Sequence, residues 1–168
     1  EHGEVAAVHA MKSDAEDVCQ VSRRWGEEVT TLWMAAQQGY VDVVKALVGR
    51  GADIDRARST NECTPLYVAL QVGHVEVVRA LMEGGADIDK AKEGGWTPLL
   101  IASQEGYVEV VRVLLDRGAD IDKACDEGCT PLYMASHNGH VEVVRVLLKL
   151  GPDIDKACDE GYTPLSTA

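Results

Sequence analysis

Residues 95–122 read GWTPLLIASQEGYVEVVRVLLDRGADID. Thr97 ahead of Pro98-Leu99 is a helix opening. Its hydroxyl caps free N–H groups, and Pro98 at the first helical position lacks the donor that would go unpaired there. Gly106 arrives nine residues after Thr97 and suits the left-handed residue that stops a helix, so the first helix is short. A second helix runs from Val108, with Glu109 and Arg112 three apart on its outer face and able to pair weakly. It stops at Gly118 of Gly-Ala-Asp. The tract Asp120-Ile121-Asp122-Lys123-Ala124 then leads through Gly128 into Thr130, as an extended segment and a tight turn.

The same text recurs along the chain. Thr-Pro-Leu begins at Thr64, Thr97, Thr130 and Thr163, 33 residues apart each time. A weaker copy, Thr30-Thr31-Leu32, lies 34 residues before Thr64, which places a one-residue insertion near Arg58. Gly-Ala-Asp-Ile-Asp begins at Gly51, Gly85 and Gly118, and Gly-Pro-Asp-Ile-Asp at Gly151. Val-Asp-Val-Val-Lys starts at Val41, and Val-Glu-Val-Val-Arg at Val75, Val108 and Val141. Gly39, Gly73, Gly106 and Gly139 mark the inter-helix stops. In the second helix Val75, Val78, Leu81 and Met82 form one apolar stripe. A single helix pair cannot bury such a stripe, whereas stacked neighbours can. Self-similarity at this period therefore predicts an all-α, one-dimensional solenoid of stacked helix pairs.

Composition fits thin layers. Of 168 residues 46% are hydrophobic, yet there are three Trp, five Tyr and no Phe, so the core must be built from Val, Leu, Ile and Ala. The net charge of −12 is spread along the array and forms no acidic tail. It argues against a nucleic-acid ligand, which needs a basic face. No apolar run is long enough for a membrane helix. Five cysteines, an odd number, and the lack of a charged-then-apolar leader point to an intracellular, most simply cytoplasmic, protein.

Gly-x-Thr-Pro-Leu, Ala, Gly-His/Tyr-Val, Val-Val-x-x-Leu-Leu and Gly-Ala-Asp at this spacing closely resemble the ankyrin repeat family. The resemblance covers residues 25–168. It divides the chain into a degenerate N-terminal cap or leader (1–24), four repeats (25–58, 59–91, 92–124 and 125–157) and a truncated fifth (158–168). It implies a curved slab of stacked helix pairs with β-hairpin fingers projecting from it. It also implies protein–protein recognition on the concave surface made by finger tips and first helices. Three departures stand out. The family's His after Thr-Pro-Leu is Tyr67, Leu100, Tyr133 or Ser166. Thr31 replaces Pro in the first repeat. Glu28 and Glu62 stand where later repeats carry the turn glycine, so the first two hairpins are expected to be less regular. The stop at Ala168, inside a first helix, suggests an excised array.

No residue set breaks the periodicity as a catalytic constellation would. Cys125 and Cys158 share one repeat position, and Cys63 and Cys129 another. Layers stacked about 8–10 Å apart keep equivalent cysteines beyond disulfide reach, roughly 4.4–6.8 Å between Cα atoms. Cys125-x-x-x-Cys129 lacks a second pair at zinc-finger spacing, so the thiols read as packed or finger-tip groups. His74 and His140 exchange with Tyr40 and Tyr107, which indicates a structural role. The Asp-x-Asp pairs at Asp53, Asp87, Asp120 and Asp153 lack the further ligands and closing Glu of a calcium loop. There is no phosphate-cradling loop and no nucleophile elbow. The expectation is no enzyme, no metal and no cofactor.

On the family's pattern, recognition falls to the positions that vary between repeats. These are Thr60, Asn61, Cys63, Gln71, Glu93, Trp96, Gln104, Glu105, Asp126, Glu127, Cys129, His137, Asn138 and Tyr162. Asp159 and Glu160 belong to the same variable finger positions. Trp96 and Tyr162 are suitable hot-spot types at finger positions outside the expected core; Trp33, inside a first helix, reads as packing. The leading functional reading is a non-catalytic, monomeric protein-interaction module. Its acidic fingers would steer in a basic partner surface, without nucleic acid or membrane insertion. Behind it stand a regulatory or substrate-recruiting segment of a larger enzyme or channel, and an engineered, consensus-like scaffold. The last is suggested by residues 118–132 and 151–165, which differ only at Ala119/Pro152 and Cys129/Tyr162.

Overall fold

The computed structural model describes residues 21–24 and 27–167; of the expected N-terminal cap, residues 1–20 lie outside them. The chain forms two compact units, up to Asp87 and from Ile88. The expected all-α repeat architecture is present in each: short helix pairs stacked first helix on first helix and second on second.

In the first unit β1 (Val21–Arg24) and β2 (Glu27–Thr30) pair antiparallel, Val21 opposite Thr30 and Arg24 opposite Glu27. Four helices follow: α1 (Thr31–Gln38), α2 (Val41–Gly49), α3 (Pro65–Val72) and α4 (Val75–Glu83). Thr30 and Thr64 are extended, and each hydroxyl accepts an N–H, from Trp33 and Tyr67 respectively, at 3.1 Å. The first helices α1 and α3 pack together, and so do α2 and α4. Leu32, Ala36, Leu66 and Leu70 are buried on the first pair, and Val44, Leu47, Val78 and Leu81 on the second. Each fully buried Val or Leu contributes about 1.5–3 kcal/mol, so a phenylalanine-free stack suffices.

The irregular finger of this unit has a definite form. The Arg58 N–H donates to the Cys63 carbonyl and the Glu62 N–H to the Arg58 carbonyl, both at 3.0 Å. In the second unit the matching bonds run from Cys125 to Cys129 and from Gly128 to Cys125. The finger at 58–63 is therefore one residue longer, which is where the inserted residue is housed. Glu62 takes the left-handed conformation, φ 54°, that glycine supplies in later fingers. The companion expectation for Glu28 does not hold. Glu28 lies inside β2, opposite Arg23, and a ladder position needs no left-handed residue. Trp33 is packing, as expected: it is buried, its Nε1–H donates to the Cys63 carbonyl at 2.9 Å, and the Arg58 guanidinium lies 5.4 Å from the ring centroid.

The second unit contains α5 (Pro98–Gln104), α6 (Val108–Asp116), α7 (Pro131–His137), α8 (Val141–Leu148) and a 3-10 turn, Pro164–Thr167. The pairs α5/α7 and α6/α8 pack, and the 3-10 turn covers α7. Thr97 and Thr130 cap at 3.2 Å and are wholly buried. Fingers here close as tight turns, with a bridge between Lys92 and Trp96; among the described residues a strand ladder occurs in β1/β2. Neighbouring fingers are tied to each other: the Asp126 N–H donates to the Gly94 carbonyl, and the Asp159 N–H to the Glu127 carbonyl, both at 3.0 Å. The anticipated outer-face pairs form, Glu76–Arg79, Glu109–Arg112 and Glu142–Arg145; being exposed, each contributes a few tenths of a kcal/mol, about. No helix among the described residues is long and apolar enough to cross a membrane.

Candidate functional site

The second unit carries a groove of about 540 Å³ between fingers and first helices. Its floor is made of sulfur. Cys125 and Cys129 stand on the two arms of one finger, and Cys158 on the first arm of the next. The close approach of these fingers depends on Gly128, where a Cβ would lie 3.0 Å from Asp159 Oδ1 and 3.2 Å from its amide nitrogen. As a result Cys125, Cys129 and Cys158 gather in one buried cluster, and the Cys129 thiol donates to the Glu127 carbonyl at 3.9 Å. Leu100 and Met134 complete the buried cluster, with Trp96 and Tyr133 packed against it. Burial pushes the Cys129 thiol up to about 12, reinforced by Cys125 and Cys158. Burial also raises the Tyr133 hydroxyl, with Cys158 the next cause.

The walls are polar and acidic. Glu127, Asp159 and Glu160 are exposed carboxylates at the finger tips. Gln104 and Asn138 add amides, Asn138 anchored through Nδ2–H to the Met134 carbonyl at 2.8 Å. Tyr133 and His137 stack with centroids 5.8 Å apart, giving one flat aromatic surface. Such a surface can take a guanidinium or ammonium group by cation–π contact while the carboxylates pair with it.

Seven of the residues picked from sequence line this groove: Gln104, Glu127, Cys129, His137, Asn138, Asp159 and Glu160. Glu105, Asp126 and Glu93 are exposed in the same unit. Tyr162 is 49% exposed. Trp96 is not the free finger-tip residue expected; it is half-buried against the thiol cluster, to which the following fingers contribute Cys125, Cys129 and Cys158. Cys63 and Cys129 are buried at 2% and 8% exposure and offer little area to a partner. Thr60 and Gln71 are exposed on the first unit, and Asn61 there accepts the Cys63 N–H through Oδ1. Sequence reasoning missed Tyr133, Met134 and Cys158 as lining residues. The signal for Tyr133 was present, as a tyrosine where the repeat pattern expects histidine.

Two periodic features prove to be ties between repeats. His74 Nε2 lies 3.2 Å from the Gln37 carbonyl oxygen, and His140 Nε2 2.7 Å from that of Gln104. The carbonyl acceptor requires the Nε2–H tautomer. The Asp-x-Asp pairs form a ladder. Asp55 accepts the N–H of Asp87 at 3.0 Å in the first unit; Asp89 accepts that of Asp120 at 3.3 Å and Asp122 that of Asp153 at 2.9 Å in the second. Lys123 and Lys156 donate to the Asp89 and Asp122 carbonyls. These carboxylates are used by backbone donors.

A family model described as ankyrin repeats, three copies, matches residues 32–125, and one described as ankyrin repeats, many copies, matches residues 114–168. No curated protein matches the chain significantly.

Proposed function

The chain belongs to the ankyrin repeat family, whose members are generally protein–protein interaction modules, and from that premise we propose that the groove of the second unit receives a basic segment of a partner protein. The carrying observation is the groove's composition: three exposed carboxylates, two amides and a stacked Tyr133–His137 pair around about 540 Å³. A lysine or arginine side chain matches all three kinds of group. The net charge of −12 steers such a partner in from a distance and makes association sensitive to salt. The module acts without catalysis: its repeated histidines engage backbone carbonyls, which supports a structural use. Cys125, Cys129 and Cys158, buried as thiols, support a reducing, intracellular setting.

The test is selection from a random peptide display library on the immobilised full chain. Selected peptides should be enriched in Lys and Arg, and their binding should fall at least tenfold with the surface variant Glu127→Lys/Glu160→Lys. Peptides without basic enrichment, or binding indifferent to that variant, would place recognition elsewhere on the array.

A further inference from the structure

We propose that Cys125, Cys129 and Cys158, together with the Glu127 carboxylate, bind one soft divalent cation of the zinc–cadmium class and so clamp two successive fingers together. The donors converge from two elements. The ligand atoms of Cys125, Glu127 and Cys129 all lie within 4.8 Å of one another, and Cys158 of the next finger is packed into the same buried cluster as the two cysteines. A tetrahedral ion with sulfur ligands at about 2.3 Å needs ligands roughly 3.8 Å apart, so Cys125, Glu127 and Cys129 are close to the required span, and Cys158, packed beside them, closes onto the ion to complete the set of four. Three sulfur donors select zinc, cadmium or cuprous ions over calcium or magnesium; the carboxylate as fourth donor favours the divalent ions. The three thiols are 5–8% exposed, walled by Leu100, Met134, Trp96 and Tyr133. The remaining side opens to the acidic groove, which gives a cation a route in. On binding, the ion replaces the thiol protons, which leave to solvent, so its affinity rises with pH.

This placement is invisible in the repeat pattern, where Cys129 and Cys158 hold different positions. It shares Glu127 with the partner-binding groove, and the two readings are told apart because metal binding is measured on the chain alone, with no partner present.

The experiment uses the full chain carrying Cys19→Ser and Cys63→Ser, which leaves these three thiols alone, kept reduced and titrated with cadmium. One equivalent should bind, producing thiolate-to-metal charge-transfer absorption and a rise in Tm, and zinc should compete for the site. Glu127→Gln, at an exposed position, should weaken binding by roughly tenfold without altering the fold of the metal-free chain. Cys158→Ser in the same background should abolish the stoichiometric signal. Should Cys129→Ser fail to fold, the Cys158 and Glu127 variants carry the same readout. The proposal is overturned by absence of charge-transfer absorption in the three-thiol chain. It is equally overturned by unchanged affinity in Cys158→Ser, which would mean a two-thiol chelate, or by displacement of cadmium by excess calcium.

Discussion

The imidazole of His140 reaches back one repeat to Gln104, its Nε2 2.7 Å from the Gln104 carbonyl oxygen. To do so the ring lies over Gly106, where a Cβ would come within 2.6–2.9 Å of three ring atoms. His74, Gln37 and Gly39 repeat the arrangement in the first unit. Histidine and glycine are thus one device. The residue that ends a first helix in the left-handed region also leaves room for the ring that ties the next repeat to it.

Gly106→Ala combines φ +76° with that clash, and its expected cost is about 1–3 kcal/mol. Gly118→Ala shares the strained backbone, φ +89°, but meets open space, so it loses about 1 kcal/mol. Urea denaturation of the two variants should rank them in that order. Equal losses would mean that the His140 contact adds nothing.

The aspartate ladder makes a second prediction. Asp122→Ala removes the acceptor for the Asp153 N–H and should cost about 1 kcal/mol. Asp122→Asn keeps an acceptor and should cost less. Glu142→Ala, which breaks the exposed ion pair with Arg145 at 2.8 Å, serves as a control and should change stability by about 0.5 kcal/mol or less. Thermal melts in which Asp122→Ala matches the control would show that the ladder is decoration.

Glu62 holds a non-glycine side chain at φ 54°. Glu62→Gly should therefore stabilise the chain by up to about 1 kcal/mol, because the strain removed outweighs the extra freedom gained by the unfolded chain. A lower denaturation midpoint would mean that the Glu62 side chain makes compensating contacts.

The Cys129 thiol has a consequence for pH. Its value is raised from 9.0 to about 12, so the folded, metal-free chain keeps a proton that the unfolded chain releases. That contribution is complete below about pH 9 and is lost as the pH rises towards 12. Stability should fall over this window more steeply in the parent chain than in Cys129→Ser. Parallel curves would show that the thiol is not shielded.

The period, the helix boundaries and the apolar stripes were legible in the sequence because each obeys a local rule. Thr97 caps the helix it begins, and Gly106 ends that helix through its own φ. Val78 and Leu81 face the core because of helical spacing alone. The inserted residue was legible as a change of period, although its accommodation through a left-handed Glu62 was not. Tertiary structure alone decided the site. Cys129 and Cys158 belong to different positions in different repeats, and they meet because Gly128 lets the Asp159 backbone approach and because neighbouring fingers share a hydrogen bond. Trp96 was misplaced for the same reason. Whether a finger residue such as Trp96 stands free or packs depends on contacts between repeats, and no pattern within one repeat encodes that.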